Sequence, residues 1–284
     1  MSKTITAMPL QLLGVSGTTY NVEGKMCDEA PLYLVTHGGK IYMAKCVAYP
    51  GDVSLGNEMR SLDAIGRHEN IVEILDRGNG FFVMPYCQGH DMLEFSELNA
   101  EEGNVCKLIS LRETGKGLAH VHAKGYVHND VKPGNMLLRL LPIGYEGNEM
   151  KKFKDVVLAD FGICEKTGEK SDMSSTKGTV VYISPDKLRA QHLADPGDDV
   201  YSFGCTMFRM LSGKNLFHGK GNFDIFYQHL HYEPPKLSSV VEVPQRLSDL
   251  TSRCVRKKSE QRPPMQEVVE NLNFIIKDVY GVDI

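Results

Sequence analysis

The hydrophobic pattern of this chain changes period once, and that change limits the fold more than any other feature. Between Tyr20 and about Phe95 the apolar residues fall in short β-rich runs, PLYLVT, KIYMAKCV, ENIVEIL and GFFVMPY. Turn signals separate them, among them His37-Gly38-Gly39-Lys40 and Arg77-Gly78-Asn79-Gly80. One helical stretch interrupts the runs, LGNEMRSLDAIGRH, with Leu55, Met59, Leu62 and Ile65 at helical spacing. From about Val105 the period is helical, in KLISLRETGKGLAHVHAKG, DDVYSFGCTMFRMLSG, RLSDLTSRCV and MQEVVENLNFIIKDV. Two short strand patterns, NMLLRL and KDVVLAD, lie between these helices, joined by LPIGYEGNEMKKF (141–153), which is longer than a simple hairpin loop. The pattern predicts an α+β fold of two lobes. A small antiparallel sheet lobe with one helix comes first (about 20–86), then a larger, mainly helical lobe (about 87–280), joined near Pro85–Gly89. Residues 1–19 are weakly patterned and read as an N-terminal extension.

Composition closes off other classes. In 284 residues, 42 % are hydrophobic and 24 % charged, enough for a sizeable core and incompatible with a disordered, collagen-like or coiled-coil chain. A formal charge of −4 gives no basic field for nucleic acid, so any polyanion must be held locally. Seven scattered cysteines without a C-x-x-C pair predict reduced thiols rather than a disulfide framework or zinc site. No apolar run approaches 18 residues, the second residue is Ser rather than Gly, and the last four residues, GVDI, hold no prenylation cysteine. The expectation is a soluble, intracellular protein in the cytoplasm.

Polar residues cluster where the period changes. His128-Asn129-Asp130-Val131-Lys132-Pro133-Gly134-Asn135 opens the helical half, and Asp160-Phe161-Gly162 follows 25 residues after Asn135, directly behind the apolar VVLA. Upstream, Ala44-Lys45 lies in a strand pattern and Glu58 on the one helix of the sheet lobe. Carboxylates and an amide supply hard oxygen ligands for a divalent cation, and a lysine can place phosphates. These motifs, in this order and context, resemble the eukaryotic-type protein kinase family over roughly residues 20–275.

The resemblance implies a Ser/Thr protein kinase that uses ATP and Mg²⁺ on a protein substrate. It implies Asp130 as catalytic base and Lys132 near the γ-phosphate, with Asn135 and Asp160 as metal ligands. Lys45 is implied on the α- and β-phosphates, held by an ion pair with Glu58. Met84 takes the gatekeeper place, Pro85 and Cys87 the hinge contacts, and Leu32, Ala44 and Leu137 the faces of the adenine. Leu62, Ile74, His128 and Phe161 form a column between lobes, with His128 as a packing residue rather than a base. Asp199 braces the catalytic loop through its backbone N–H groups, the alternative being a helix N-cap near Pro196-Gly197. Ser184-Pro185-Asp186 ends the activation segment, with Arg262 as the partner of Asp186. A regulatory protein partner is compatible with the family. Two rival readings share the lobes. One is a pseudokinase that binds partners without catalysis. The other is a small-molecule phosphotransferase, which should lack the Gly178–Asp186 segment.

Two positions depart from the family pattern. With YNVEGKM and LYLV as successive strands, the three loop-glycine positions fall on Lys25, Cys27 and Ala30, interleaved with Asp28, Glu29 and Pro31. Side chains there obstruct the approach of backbone N–H groups to phosphate, so altered nucleotide binding is expected. Asn129 stands where many family members have Arg, the usual receptor for an activation-segment phosphate. Kinases with Asn here occur among bacterial effectors, and the cytoplasm would be that of a host if the protein is a secreted effector. Activity independent of activation-segment phosphorylation follows: replacing Ser171, Ser174, Ser175 and Thr176 by Ala should leave phosphoryl transfer intact, and its abolition would refute this.

Overall fold

The computed structural model describes residues 10–26, 31–49, 52–87, 91–93, 104–139, 156–170, 180–189 and 192–282. Alternating apolar residues build a six-stranded antiparallel sheet from β1 (Gln11–Leu13), β2 (Thr19–Lys25), β3 (Leu32–His37), β4 (Lys40–Cys46), β5 (Asp76–Gly78) and β6 (Phe81–Pro85), in the order β1-β2-β3-β4-β6-β5. The β3–β4 hairpin turns on Gly38 and Gly39, whose φ values of 57° and 74° are open to glycine without steric cost. That turn sets the register pairing Leu32 with Lys45, Tyr33 with Ala44 and His37 with Lys40. On its other side β4 pairs Ala44 with Val83 and Lys45 with Phe82 of β6. Helix α1 (Ser54–Ile65) buries Leu55, Glu58, Leu62 and Ile65.

The sheet begins earlier than the sequence pattern indicates. Gln11–Leu13 is not an extension but a strand, paired with Thr19–Asn21 of β2. It shows a single inward residue, Leu12, too short a signal for periodicity to detect. The turn after it reaches the opposite border of the sheet, where the Val15 N–H donates to the Arg77 carbonyl at 2.7 Å. Asp76, buried in β5, collects the Ser16 hydroxyl, the Ser16 N–H (3.3 Å), the Tyr20 hydroxyl (3.2 Å) and the Arg77 N–H (2.8 Å). A Cβ on Gly14 would lie 1.9 Å from this carboxylate, so only glycine fits.

A second correction concerns ENIVEIL, which is not the strand its composition predicts. The strand is the following Asp76–Gly78, while Ile71 and Val72 are buried against the second lobe. There the Val72 N–H donates to the Leu158 carbonyl (3.0 Å) and the Leu158 N–H to the Asn70 carbonyl (2.9 Å). A short apolar run reports burial, not which partner buries it.

Among the described residues the helical lobe holds α2 (Asn104–Ala123), α3 (Pro196–Ser212), α4 (Asn222–His231), α5 (Gln245–Cys254) and α6 (Met265–Phe274), the last continued by a π turn, Ile275–Val279. Short antiparallel pairs β7 (Tyr126–Val127) with β10 (Glu165–Lys166), and β8 (Met136–Leu138) with β9 (Val156–Leu158), frame the loop between lobes. Asp195 caps α3 by accepting the Gly197 N–H at 2.7 Å, Pro196 starts it, and Gly213 in the left-handed region ends it. Cys205 and Cys254 are buried as packing residues, and Gly204 packs so closely that a Cβ would meet Cys254 and Val255 within 2.8 Å. Helix α4 is absent from the sequence expectation because its apolar residues do not all turn inward: Phe223 and Tyr227 are exposed. Among the described residues no helix is long and apolar enough to cross a membrane.

His229 of α4 is buried beside Tyr201, whose hydroxyl lies 2.8 Å from Nδ1. Burial, aided by the Lys257 charge, pushes its pKa down to about 3. Between that value and the ordinary 6.5 only the unfolded chain takes the proton, so stability rises with pH there and is lost as pH falls. His229→Gln should therefore flatten the loss of melting temperature between pH 7 and pH 5, measured by thermal denaturation against the parent chain.

Candidate active site

Strand β4 delivers Lys45 and helix α1 delivers Glu58, and their side chains meet at 2.6 Å (Nζ to Oε2). Lys45 Nζ also lies 2.8 Å from Asp160 Oδ1, so one ammonium joins carboxylates from both lobes. The other oxygen of Glu58 accepts the Phe161 N–H at 3.1 Å, which fixes the backbone behind Asp160. Burial opposes the Lys45 charge, but Glu58 and Asp160 outweigh it and hold the ammonium above its usual range. Burial likewise opposes the Asp160 charge, and Lys45 overrides it, keeping the carboxyl below its usual range. The Asp160 side chain remains 46 % exposed, open to the cleft.

The loop after β7 places the remaining groups. Asp130 Oδ2 accepts from Lys132 Nζ at 2.7 Å and from Asn135 Nδ2 at 2.9 Å. Asn135 Nδ2 also donates to the Asp130 carbonyl at 2.8 Å. With both amide hydrogens committed to Asp130, Asn135 keeps Oδ1 as the atom for a further partner. His128 is buried, 4.6 Å from the Phe161 ring and steeply inclined to it. Its Nδ1 accepts the Asp130 N–H (3.2 Å), so Nε2 carries the hydrogen and donates to the Ala159 carbonyl (3.1 Å). Burial lowers its pKa, as suits a neutral packing ring. Leu62, Ile74 and Phe161 share one apolar cluster beneath it.

Asp199, fully buried in the first turn of α3, spans the loop from below. Oδ2 accepts the His128 N–H (2.7 Å) and Oδ1 the Asn129 N–H (2.8 Å). The helix cap is Asp195, leaving Asp199 for bracing. Burial alone would raise its pKa, but His122 Nε2 at 2.9 Å and the backbone donors keep the carboxyl below its usual range. Sequence spacing gave no sign of His122, 77 residues away from its partner. Asn129 and Asp160, at φ 71° and 67°, are the only non-glycine residues in the left-handed region among those described. Asn and Asp tolerate that conformation best, and such strain persists where surrounding contacts fix it. Asn129 Nδ2 donates to the Ile163 carbonyl (2.9 Å) and to Glu165 Oε2 (3.0 Å), tying the loop to β10.

The expected nucleotide-binding wall is assembled in part. Leu32, Met84 and Leu137 belong to the same apolar cluster, whereas Ala44 is fully buried in the neighbouring sheet cluster with Val35 and Val83. Pro85 pairs with Tyr42 at the end of β6, and Cys87 follows with its Sγ 4.0 Å from the Pro85 carbonyl. The loop positions Cys27, Asp28, Glu29 and Ala30 lie outside the described residues, as do 141–153, Gly178-Thr179 and the hydroxyls at 171–176. Beyond them, Ser184 donates its hydroxyl to Asp198, and Asp186 meets Arg262 Nη2 at 2.5 Å. Arg262 also donates to the carbonyls of Gly197 (2.9 Å), Arg256 (2.8 Å) and Lys257 (3.1 Å).

Comparison with known proteins gives the family. Residues 32–274 match the protein kinase domain family. Serine/threonine-protein kinase PknL of Mycobacterium tuberculosis is 32% identical over 227 residues, covering 75% of this chain and 53% of that protein. PkaA of Streptomyces coelicolor is 28% identical over 219 residues (75% of this chain, 38% of that protein), and PrkC of Bacillus subtilis 28% over 223 (76% and 32%). The chain thus spans about half or less of the length of these relatives. It belongs to the protein kinase family, with the bilobal fold of that family.

Asp199→Ala should leave the His128 and Asn129 N–H groups buried without acceptors, at a cost of about 2–5 kcal/mol. Urea denaturation should show the lower midpoint, and Asp199→Asn, which keeps one acceptor, should fall between the two.

Proposed function

We propose that the chain is a Ser/Thr protein kinase transferring the γ-phosphoryl group of Mg-ATP to a hydroxyl of a protein substrate. One observation carries the reading: Lys45 bridges Glu58 and Asp160 while Asp130, Lys132 and Asn135 lock together across the same loop. A chain selected only to present a surface has no need of all these polar groups in mutual contact, which favours transfer over a pseudokinase. The kinase unit is proposed to start at β1 and run to about residue 280, and the cytoplasm, where ATP is abundant, to be its place of work.

The donor set suits magnesium and a triphosphate. Asp160 offers a charged, cleft-facing carboxylate and Asn135 an amide oxygen oriented by its two donated hydrogens, both hard oxygen ligands. When bound, Mg-ATP supplies the transferable phosphoryl group and neutralises its developing charge. Lys45, straightened by Glu58, is assigned to the α- and β-phosphates, and Leu32, Ala44 and Leu137 to the adenine faces. Met84, Pro85 and Cys87 line the hinge. Asp130 orients the substrate hydroxyl and accepts its proton, while Lys132, whose Nζ donates to that carboxylate at 2.7 Å, faces the γ-phosphoryl position. Asp199 fixes both from behind through the loop backbone. Asn129 ties the same loop to β10 by donating to the Ile163 carbonyl and to Glu165, so its order requires no phosphate.

Incubation with radiolabelled ATP, Mg²⁺ and a generic basic protein should label the substrate. Asp160→Ala should lower labelling by about a thousandfold, in line with loss of charge stabilisation at the transferring group. Equal labelling by the parent and the variant, or none by either, overturns the enzyme. Mg-ATP should also raise the melting temperature of the parent chain.

A further inference from the structure

Helix α4 turns only Ile225 and His229 fully into the lobe. Phe223 and Tyr227, one turn apart, are 90 % and 55 % exposed, and Tyr232 beyond the helix is 55 % exposed. The Tyr227 ring lies 4.5 Å from that of His231 and 5.9 Å edge-on to that of Tyr232, so the rings form one aromatic ridge. Scattered exposed apolar residues need no explanation, but a contiguous set marks a surface used for association.

The chain leaves this ridge through Glu233 and Pro234 into a cavity of about 460 Å³. Its charged lining is Lys236, Arg256, Lys257 and Lys258 against the single carboxylate of Glu233. In a protein of formal charge −4, this is a local reversal of sign. Lys236 and Lys258 form no ion pair with any described residue. Lys257 is half-buried and gives two hydrogen bonds to the last carbonyls of α4, Gln228 (3.2 Å) and His229 (2.7 Å). Burial lowers its pKa to about 8, a penalty that an arriving anion would relieve.

The wall of the cavity is hydrogen-bonded through Arg262 to the segment that carries Asp186. The Arg256 and Lys257 carbonyls accept from Arg262, whose guanidinium also holds Asp186. Helix α4 packs on Val180–Tyr182, the turn that leads into Ser184 and Asp186.

We propose that the α4 ridge and this cavity form one docking surface for an acidic segment of a protein substrate that carries apolar or aromatic side chains. The cations match the carboxylates, and the ridge covers the apolar groups between them. This deepens the kinase reading and rests on it for the word substrate. The docking itself is measured without nucleotide.

The probe is a fluorescein-labelled random copolymer of Glu and Tyr, titrated with the full chain and followed by anisotropy. Saturable binding is expected, weakening with salt, and about tenfold weaker in Lys236→Glu/Lys258→Glu and in Phe223→Ala/Tyr227→Ala. Asp160→Ala should bind like the parent. In kinetics, the charge-reversed variant should show about a tenfold higher KM for dephosphorylated casein, which is acidic, with kcat and the KM for ATP unchanged. Basic protein substrates should not share the increase. Copolymer binding insensitive to both double variants overturns the proposal. Binding to phosphatidylserine vesicles without copolymer binding overturns it in favour of a membrane. Self-association lost in Phe223→Ala/Tyr227→Ala, again without copolymer binding, overturns it in favour of a second copy. Copolymer binding of the expected pattern in a chain that labels nothing supports the docking surface and removes the kinase reading alone.

Discussion

Lys45 carries one positive charge between two carboxylates that belong to different lobes, and most of the cleft follows from that arrangement. A buried ammonium with one partner, or a buried Glu58 without it, would leave an uncompensated charge in a poorly polarisable interior, at a cost of several kcal/mol. Both partners are therefore required at once. Glu58 brings helix α1 against the sheet, and through the Phe161 N–H it also fixes the backbone that presents Asp160. The lobes are thus held in register by electrostatics at the cleft between them. Asp199 does the corresponding work from the helical side, where one carboxylate satisfies two backbone donors of the catalytic loop.

Much of this was legible in the sequence because the cleft is built from short motifs whose members lie close together in the chain. Asp130, Lys132 and Asn135 meet because they occupy a single tight loop, and the pattern of strands on either side predicts where that loop sits. The register of Leu32 with Lys45 follows from a two-glycine turn that the text also displays. What escaped detection depends on contacts distant in the chain or on weak periodicity. The strand Gln11–Leu13 buries one residue, and ENIVEIL is apolar because it faces the other lobe rather than a neighbouring strand. The pairing of His122 with Asp199 has no local signature, and α4 lacks the one-sided pattern of a packed helix because its outer face is aromatic.

Asn129 shows how a departure from a family pattern can be absorbed without losing order. An arginine at this place needs an anion to offset its desolvation, whereas an amide is satisfied by the Ile163 carbonyl and the Glu165 carboxylate close at hand. The connection between catalytic loop and β10 is then permanent instead of conditional. The relatives of this chain, PknL and PrkC, are longer proteins, of which it spans about half or less.

The clasp around Asp76 has a consequence for how the molecule behaves in crowded solution. Isolated sheets end in rows of unsatisfied amides and carbonyls, which invite neighbouring polypeptides to extend them into fibres. Here the Val15 amide and the Ser16 side chain fold back across the gap, bringing one rim of the sheet onto the other and occupying part of that template. A segment with scarcely any hydrophobic signal of its own thereby leaves fewer unpaired backbone groups along the β5 edge for another polypeptide to extend.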